Sequence, residues 1–556
     1  MKKPVKITLW TLGVVIGLFA AAVVTTDIWV SRLVHREVKD AFEDIPDVEA
    51  SIGDIHIFFL SGTAIVEDIY FATNSINRND TLQSGQRMPG LAINVPTLTV
   101  GHISYRKLFR EKHLHVSSLT ADNPSFVCYL DEKHPEAILP ALPKDTTLED
   151  AGQWLKLADL RKIRVNNAHA ELYSLNTSLE LNIDSLTAQV RDFRYDFGDS
   201  LFTYNDSVYE VSVGEASVVI PDGLSSLEVR GFQTKNQGPF HLGYTRYRNT
   251  VSPRKLADMH NEPTTWMDLE LNSLSTSAFN PLHKILDKDY TLDSLHANVR
   301  RMHVHRDARH APKEPFPIPQ DILRRIPEYF CIKQATAVVH KIDIEVTTSD
   351  VNCGKLRLND IHARLDNITN KTGAVWYNRL HAPFGKNGIV DAKFNMYIDH
   401  DARFDISISG TDAELQDLNP FIRPLVAITC DCHINKIDAN YSGDRQKAKG
   451  EFCMQYKGLN VKVHKEDQVP YRIITKYADV FTSLANTLIP KSNPTAVDIH
   501  PRSYSVEWKN DAWAPYTLYL FGPCIDGVIK TMLPGLFVHK QTKEVHGNLN
   551  TYKKKK

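Results

Sequence analysis

Apolar and polar side chains alternate with a period of two through most of this chain. Phe404, Ile406 and Ile408 are separated by Asp405 and Ser407, and Leu179, Leu181 and Ile183 by Glu180 and Asn182. The same rhythm recurs at Phe394, Met396 and Ile398, at Met267, Leu269 and Leu271, at Val461 and Val463, and at Leu98 and Val100. Successive side chains of a strand point to opposite faces, so the pattern predicts antiparallel strands with one apolar face and one wet face. Helices of crossover length do not alternate with these runs, which disfavours a parallel α/β enzyme fold.

Helical spacing is confined to a few places. Residues 7–26 form a 20-residue run without a formal charge, ITLWTLGVVIGLFAAAVVTT. As a helix it reaches roughly 30 Å, the thickness of a bilayer hydrocarbon core. Ala20, Ala21 and Ala22 resemble a signal-peptide processing site, but the run exceeds the usual apolar stretch of about 7–15 residues, so a membrane anchor is preferred. Lys2, Lys3 and Lys6 on one side balance Arg32, Arg36 and Lys39 on the other. The short, dense inner tail and Asp27 on the far flank place the body outside the cytosol. Residues 27–44 continue as an amphipathic stalk.

Further along, Thr147 and Asp150 make a weak capping box for a helix running to Leu160, and Ile322, Leu323 and Ile326 predict a short helix. The longest late helix is expected over 470–489, where Ile473, Tyr477, Val480, Phe481, Leu484 and Leu488 share one stripe before Pro490. Packing on a sheet is its simplest role; contact with lipid is the alternative. Pro312, Pro315, Pro317 and Pro319 mark a linker or domain boundary, and His134–Lys144 marks a second. On these signals the chain divides into a tail (1–6), a span (7–26), a stalk (27–44), a first β-unit (45–133), a middle β region (134–310), a second β region with a helical insert (311–469), a C-terminal helix with terminal strands (470–550) and a basic tail (551–556). A faint internal echo links Ile163–Ala170, followed by Asp184–Val190, to Ile332–Val338, followed by Asp360–Leu365.

Composition narrows the function. With 65 Lys+Arg against 66 Asp+Glu the 556-residue chain has no basic surplus for nucleic acid. Seven Cys are too few for a disulfide scaffold. Among 23 His, the pairs His113/His115 and His303/His305, the latter near His310, each place two imidazoles on one strand face. No carboxylate cluster or Cys ligand set lies beside them in sequence, so solvated strand histidines are expected. Cys430 and Cys432 share parity with Ile428 and Ile434 and read as small hydrophobes. No phosphate-cradling loop, nucleophile elbow or H-E-x-x-H occurs. No cofactor, metal or catalytic activity is therefore expected.

The segment Val95-Pro-Thr-Leu-Thr-Val-Gly-His-Ile-Ser-Tyr-Arg-Lys-Leu-Phe-Arg-Glu-Lys-His-Leu-His-Val-Ser-Ser-Leu-Thr-Ala-Asp-Asn-Pro-Ser-Phe126 resembles the opening β-unit of the AsmA-like family of envelope proteins. There a strand leads to a short amphipathic helix, a second strand and a turn ending in proline. The anchor upstream fits the same family. Asp412–Leu425 is similar to its helical insert, and Ser442–Phe452 to its late strands. The resemblance implies an N-terminal transmembrane helix followed by an elongated, twisted antiparallel β-groove with a few short helices, similar to chorein-type lipid conduits. It further implies a single-pass protein of the bacterial inner membrane, its bulk in the periplasm, acting in phospholipid transport and outer-membrane homeostasis, with an outer-membrane partner left unidentified.

On that reading the lining is Leu98, Val100, Leu179, Leu181, Ile183, Phe394, Met396, Ile398, Phe404, Ile406 and Ile408, and the stripe from Ile473 to Leu488 is the lipid-contacting helix. The same alternating faces also close on each other in a β-sandwich, which makes the competing class a non-enzymatic periplasmic scaffold or assembly factor for outer-membrane proteins.

Overall fold

The computed structural model describes residue 31 and residues 48–532, apart from 74, 77–87, 135–155, 197–200, 237, 279–289, 350–351, 466–477 and 497–498. The expected span at 7–26, nearly all of the stalk, most of the His134–Lys144 segment, Ile473, Tyr477 and the basic tail lie outside the described residues. Among the described residues no helix is long and apolar enough to cross a membrane. The chain forms two compact units divided between Leu242 and Gly243.

The first unit is built from β1 (Val48–Ser51), β2 (Ile55–Phe58), β3 (Thr63–Thr73), β4 (Gly90–Ile103), α1 (Tyr105–Glu111), β5 (His113–Asp122), β6 (Ser125–Leu130), β7 (Leu157–Ser174), β8 (Glu180–Asp196), β9 (Leu201–Val219), β10 (Ser225–Lys235) and β11 (His241–Leu242). β1 and β2 lie end to end along β3. β5 and β6, separated by Asn123-Pro124, lie end to end between antiparallel β4 and parallel β7. From β7 to β11 every pairing is antiparallel. The strand–helix–strand–proline turn expected over Val95–Phe126 is present as β4, α1, β5 and Pro124.

The second unit comprises β12 (Thr245–Asn249), α2 (Pro253–His260), β13 (Thr264–Thr276), β14 (Tyr290–Asp307), α3 (Pro319–Arg324), β15 (Phe330–Thr347), β16 (Cys353–Thr369), β17 (Val375–Phe384), β18 (Gly388–Tyr397) and β19 (Phe404–Glu414). It continues through a 3₁₀ turn at Leu415–Leu418, α4 (Asn419–Val426), β20 (Ile428–Gly443), β21 (Lys447–Val463), α5 (Ala478–Leu488), β22 (Ser492–Asn493), β23 (Ser503–Lys509) and α6 (Tyr516–Met532). The helical insert expected at Asp412–Leu425 is the 3₁₀ turn with α4. Neighbours pair antiparallel except β14 and β15, which run parallel.

Four expectations need correction. The sheets are mixed, because β5–β6 with β7 and β14 with β15 are parallel pairs. A parallel step requires a crossover, and the segment of Pro312–Pro319, expected to be a linker or boundary, is that crossover within the second unit. The stretch expected to be helical as far as Leu160 is already strand from Leu157. Within each unit the strands add one after another in a solenoid-like ladder, whereas a groove was expected. The echo between Ile163 and Ile332 does have a structural counterpart: both residues stand on the strand that follows the parallel step.

One backbone device recurs in both units. In the first unit a register row runs Phe71–Ile93–Phe126–Ala170–Ile183–Ala216–Val229, and a second runs Val66–Leu98–Ala121–Val165–Ala188–Val211. In each shared strand the two rows are five residues apart, a spacing that strict alternation puts on opposite faces. Between them lie left-handed residues: Asp68 in β3, Asn123 between β5 and β6, Asn167 in β7, Ser185 in β8 and Gly231 in β10. These form a crease that shifts side-chain parity by one. The polar positions shift with it, from Glu180, Asn182 and Asp184 to Thr187, Gln189 and Arg191. Packing in the second unit displays the same shift directly, since Val299 with Met302, Val339 with Ile342, and Leu358 with Ile361 belong to one apolar cluster although each pair is three apart. Asp360, between the last two, is left-handed.

The end of the second unit is closed by helices. Gly522 and Gly527 let α6 lie directly on Trp508 of β23 and Phe452 of β21; a Cβ at either would overlap the ring. Asp526 and Lys530 of α6 bind the β23 backbone, with Asp526 Oδ2 accepting from the Glu507 amide at 3.1 Å and Lys530 Nζ donating to the Ser505 carbonyl at 2.9 Å. On β21, Asn486 of α5 accepts from the Val461 amide at 3.0 Å and donates to its carbonyl at 2.7 Å. The crossover is pinned as well. Arg445, in the turn between β20 and β21, holds Asp321 of α3 through two bonds of 2.7 and 2.8 Å.

Two outcomes follow from these contacts. Gly527→Leu should destabilise the protein by about 1–3 kcal/mol through overpacking against Phe452, read as a lowered urea midpoint without change in slope. Asp321 is held down to about 2 by its bonds to Arg445 and then Arg324. Because its folded value lies below its unfolded one, its contribution is complete above about pH 4 and is lost as pH falls toward 2. Asp321→Asn should remove about 2 kcal/mol at pH 7 and much less at pH 2, measured as the mutant-minus-wild-type difference in denaturant titrations at the two pH values.

Candidate functional site

The apolar face of the first unit is the most extended surface feature with a chemical consequence. In register, apolar residues of successive strands stand opposite one another in the two rows that flank the crease. Two further rows, Ala64–Val100–Leu119–Ile163–Val190–Tyr209 and Leu91–Cys128–Leu172–Leu181–Val218–Leu227, widen the face. Leu98, Val100, Leu181 and Ile183 all stand in these rows and are half-buried. Leu179 does not; it is in the turn before β8, where its carbonyl accepts from the Ser174 amide. Seven strands at about 4.8 Å make the face about 30 Å wide, twice the ~15 Å depth of one leaflet's acyl chains.

One end of this face carries exposed aromatic and aliphatic side chains. The β2–β3 turn exposes Phe58, Phe59 and Leu60, the last at 68%. Phe59 stacks on Tyr105 at the start of α1, whose Phe109 is 70% exposed. The Ile57 amide donates to the Ser31 hydroxyl at 2.9 Å. In sequence Ser31 follows Thr26, the last residue of the expected span, by only a few residues.

The remaining lining candidates have a different environment. Phe404, Ile406, Met396 and Ile398 are buried, at 0%, 6%, 7% and 0% exposure. Phe404 packs edge-on against Tyr519 and Tyr516 of α6. Phe394 and Ile408 pack against the same core. Their alternation therefore serves a sheet covered by protein, and helix coverage is information that period-two spacing does not carry. In α5, Val480, Leu484 and Leu488 of the stripe are exposed and do not pack on the sheet, while Ala485, outside the stripe, faces the core.

Cys430 and Cys432 belong to the core, as their parity predicts, and burial pushes their thiols up to about 11 and about 12. All seven cysteines are free thiols. The histidine expectation is corrected. His115 is buried, His113, His303 and His305 are mostly so, and each pair faces a carboxylate of the neighbouring parallel strand, Asp159 or Glu345. Those carboxylates are 44 and 40 positions away in sequence, which is why local spacing missed them. His310 pairs instead with Asp258.

No family model matches the chain, and no curated protein matches it.

The contrast between the two faces yields a direct comparison. Ile183→Lys should cost less than about 2 kcal/mol, because a lysine stem can lie along a half-buried face with its ammonium in water. Ile406→Lys should cost more than about 3 kcal/mol by forcing a charge into the core under α6. Thermal melts of the two variants should separate clearly.

Proposed function

We propose that this protein is a membrane-anchored lipid-binding and transfer protein of the AsmA-like type, single-pass in the inner membrane with its bulk in the periplasm. Its substrate class is phospholipid or another acylated envelope component, and its role is in phospholipid transport and outer-membrane homeostasis. It acts by binding, without catalysis. The observation that carries the reading is the run of apolar rows across seven strands of the first unit, kept on one face by the crease.

An acyl chain costs roughly 0.8 kcal/mol per CH₂ to expose to water, so carrying one needs contiguous apolar surface of this kind. The Phe58–Leu60 tip, whose neighbour Ile57 bonds Ser31 a few residues after the expected span in sequence, supports entry from the membrane end. Binding elsewhere is less supported, since Phe404 and Ile406 are sealed beneath α6. Leu98, Val100, Leu181 and Ile183 therefore carry the lining role in this proposal, and Val480, Leu484 and Leu488 are the exposed part of the lipid-contacting helix.

A photoreactive residue placed at Leu98 or Ile183 of the full-length chain should capture phospholipid in cells, whereas one at Asn182 or Gln189 on the polar face should not. Capture of protein alone at Leu98 and Ile183 would favour a scaffold that assembles other envelope proteins.

A further inference from the structure

We propose that each of the two parallel steps holds a divalent transition-metal ion of the zinc class, bound by two histidines and one carboxylate. The first donor set is His113 and His115 of β5 with Asp159 of β7; the second is His303 and His305 of β14 with Glu345 of β15. In each set the ligand atoms lie within 4.8 Å of one another. Imidazole nitrogen with carboxylate oxygen is a donor set that zinc accepts, and three protein ligands leave a fourth position for water.

The two sets share one design. The carboxylate stands in register opposite the second histidine, Asp159 against His115 and Glu345 against His305. That histidine's Nδ1 is 2.9 Å from Asp159 Oδ2 in the first set and 3.1 Å from Glu345 Oε2 in the second. The first histidine is the one left over. Nε2 of His113 and of His303 are both buried without a hydrogen-bond partner, at 3.9 and 3.8 Å from the same carboxylates. A buried, unpaired imidazole nitrogen is costly in an ordinary strand, and it recurs here at the same place in two sets.

The sets are not copies of one ancestral position, because the first lies at the beginning of its strand pair and the second at the end. What they share is the parallel step. Parallel pairing is slightly weaker per residue than antiparallel, and a cation shared by the two strands fastens them beside the crossover. In the second unit His303 and His305 stand at the parity opposite Met302 of the apolar cluster. A third grouping, Asp54, His56 and Glu67, is exposed and has no buried unpaired nitrogen. In the second set Cys353 Sγ is 4.0 Å from Glu345 Oε2, a thiol close enough to add a fourth ligand. Lys355, which pairs with Glu345 at 3.3 Å, is 64% exposed and free to withdraw.

The full-length protein in detergent, stripped with a chelator and titrated with Co²⁺, should develop the visible bands of a low-symmetry cobalt site and saturate at two equivalents per chain. Zn²⁺ should displace the colour. His113→Gln and His303→Gln should each retain one equivalent and the double variant none, and zinc should raise the wild-type melting temperature by about 5 °C with no effect on the double variant. Unchanged melting of the metal-free double variant would establish that the loss is not unfolding; if it melts early, Asp159→Asn with Glu345→Gln replaces it. Equal metal content in wild type and the folded double variant would overturn the proposal, leaving both sets as plain histidine–carboxylate pairs.

Discussion

A strand can keep its apolar side chains on one face for only as long as its alternation is unbroken, and the long strands here exceed that limit. The crease resolves the conflict. A non-glycine residue in the left-handed region costs about 1 kcal/mol, less for Asn and Asp, and Asn and Asp hold several of these positions. Side-chain bonds along the line offset the cost: Asn167 donates to Asn123 at 2.8 Å and Asn166 to Asp122 at 2.7 Å. The apolar rows on either side of Asn123 and Asn167 would otherwise emerge on opposite faces, and the first unit would have no coherent surface.

The same alternation meets two fates. In the first unit the rows through Leu98 and Ile183 remain half-buried. In the second, Phe404 and Ile406 are sealed by α6, which can lie so close only because Gly522 and Gly527 carry no Cβ. Proximity of the helix, rather than any property of the strands, decides whether a face is surface or core.

Much of this was legible in the sequence. Period-two runs locate the strands, Ile322 and Leu323 fall in the expected short helix, and the Val95–Phe126 pattern reproduces β4, α1 and β5. What escaped has physical causes. Alternation says nothing about strand direction, so the two parallel steps were invisible, although the prolines from Pro312 to Pro319 marked one crossover. The crease breaks parity at Asn167 and Ser185, where a simple pattern reads as two short strands. The carboxylates beside the histidine pairs come from strands across a crossover, and no local spacing points to Asp159 or Glu345. For the candidate lipid face, Leu181 and Ile183 were readable from parity, but Leu179 was not separable from them, since a turn residue can continue the pattern by chance.

The treatment of the last strands has a consequence for the protein's behaviour in a crowded compartment. A ladder that adds strand upon strand has no intrinsic reason to stop, and a bare final strand is a template for another chain. Here Asn486 mimics a neighbouring peptide group at Val461, and Asp526 with Lys530 occupies the outward amide of Glu507 and carbonyl of Ser505. Side chains thus act as a chain terminator for the sheet. The Val461 and Glu507 amides and the Val461 and Ser505 carbonyls are thereby taken up by covalently attached helices and are not open to another chain.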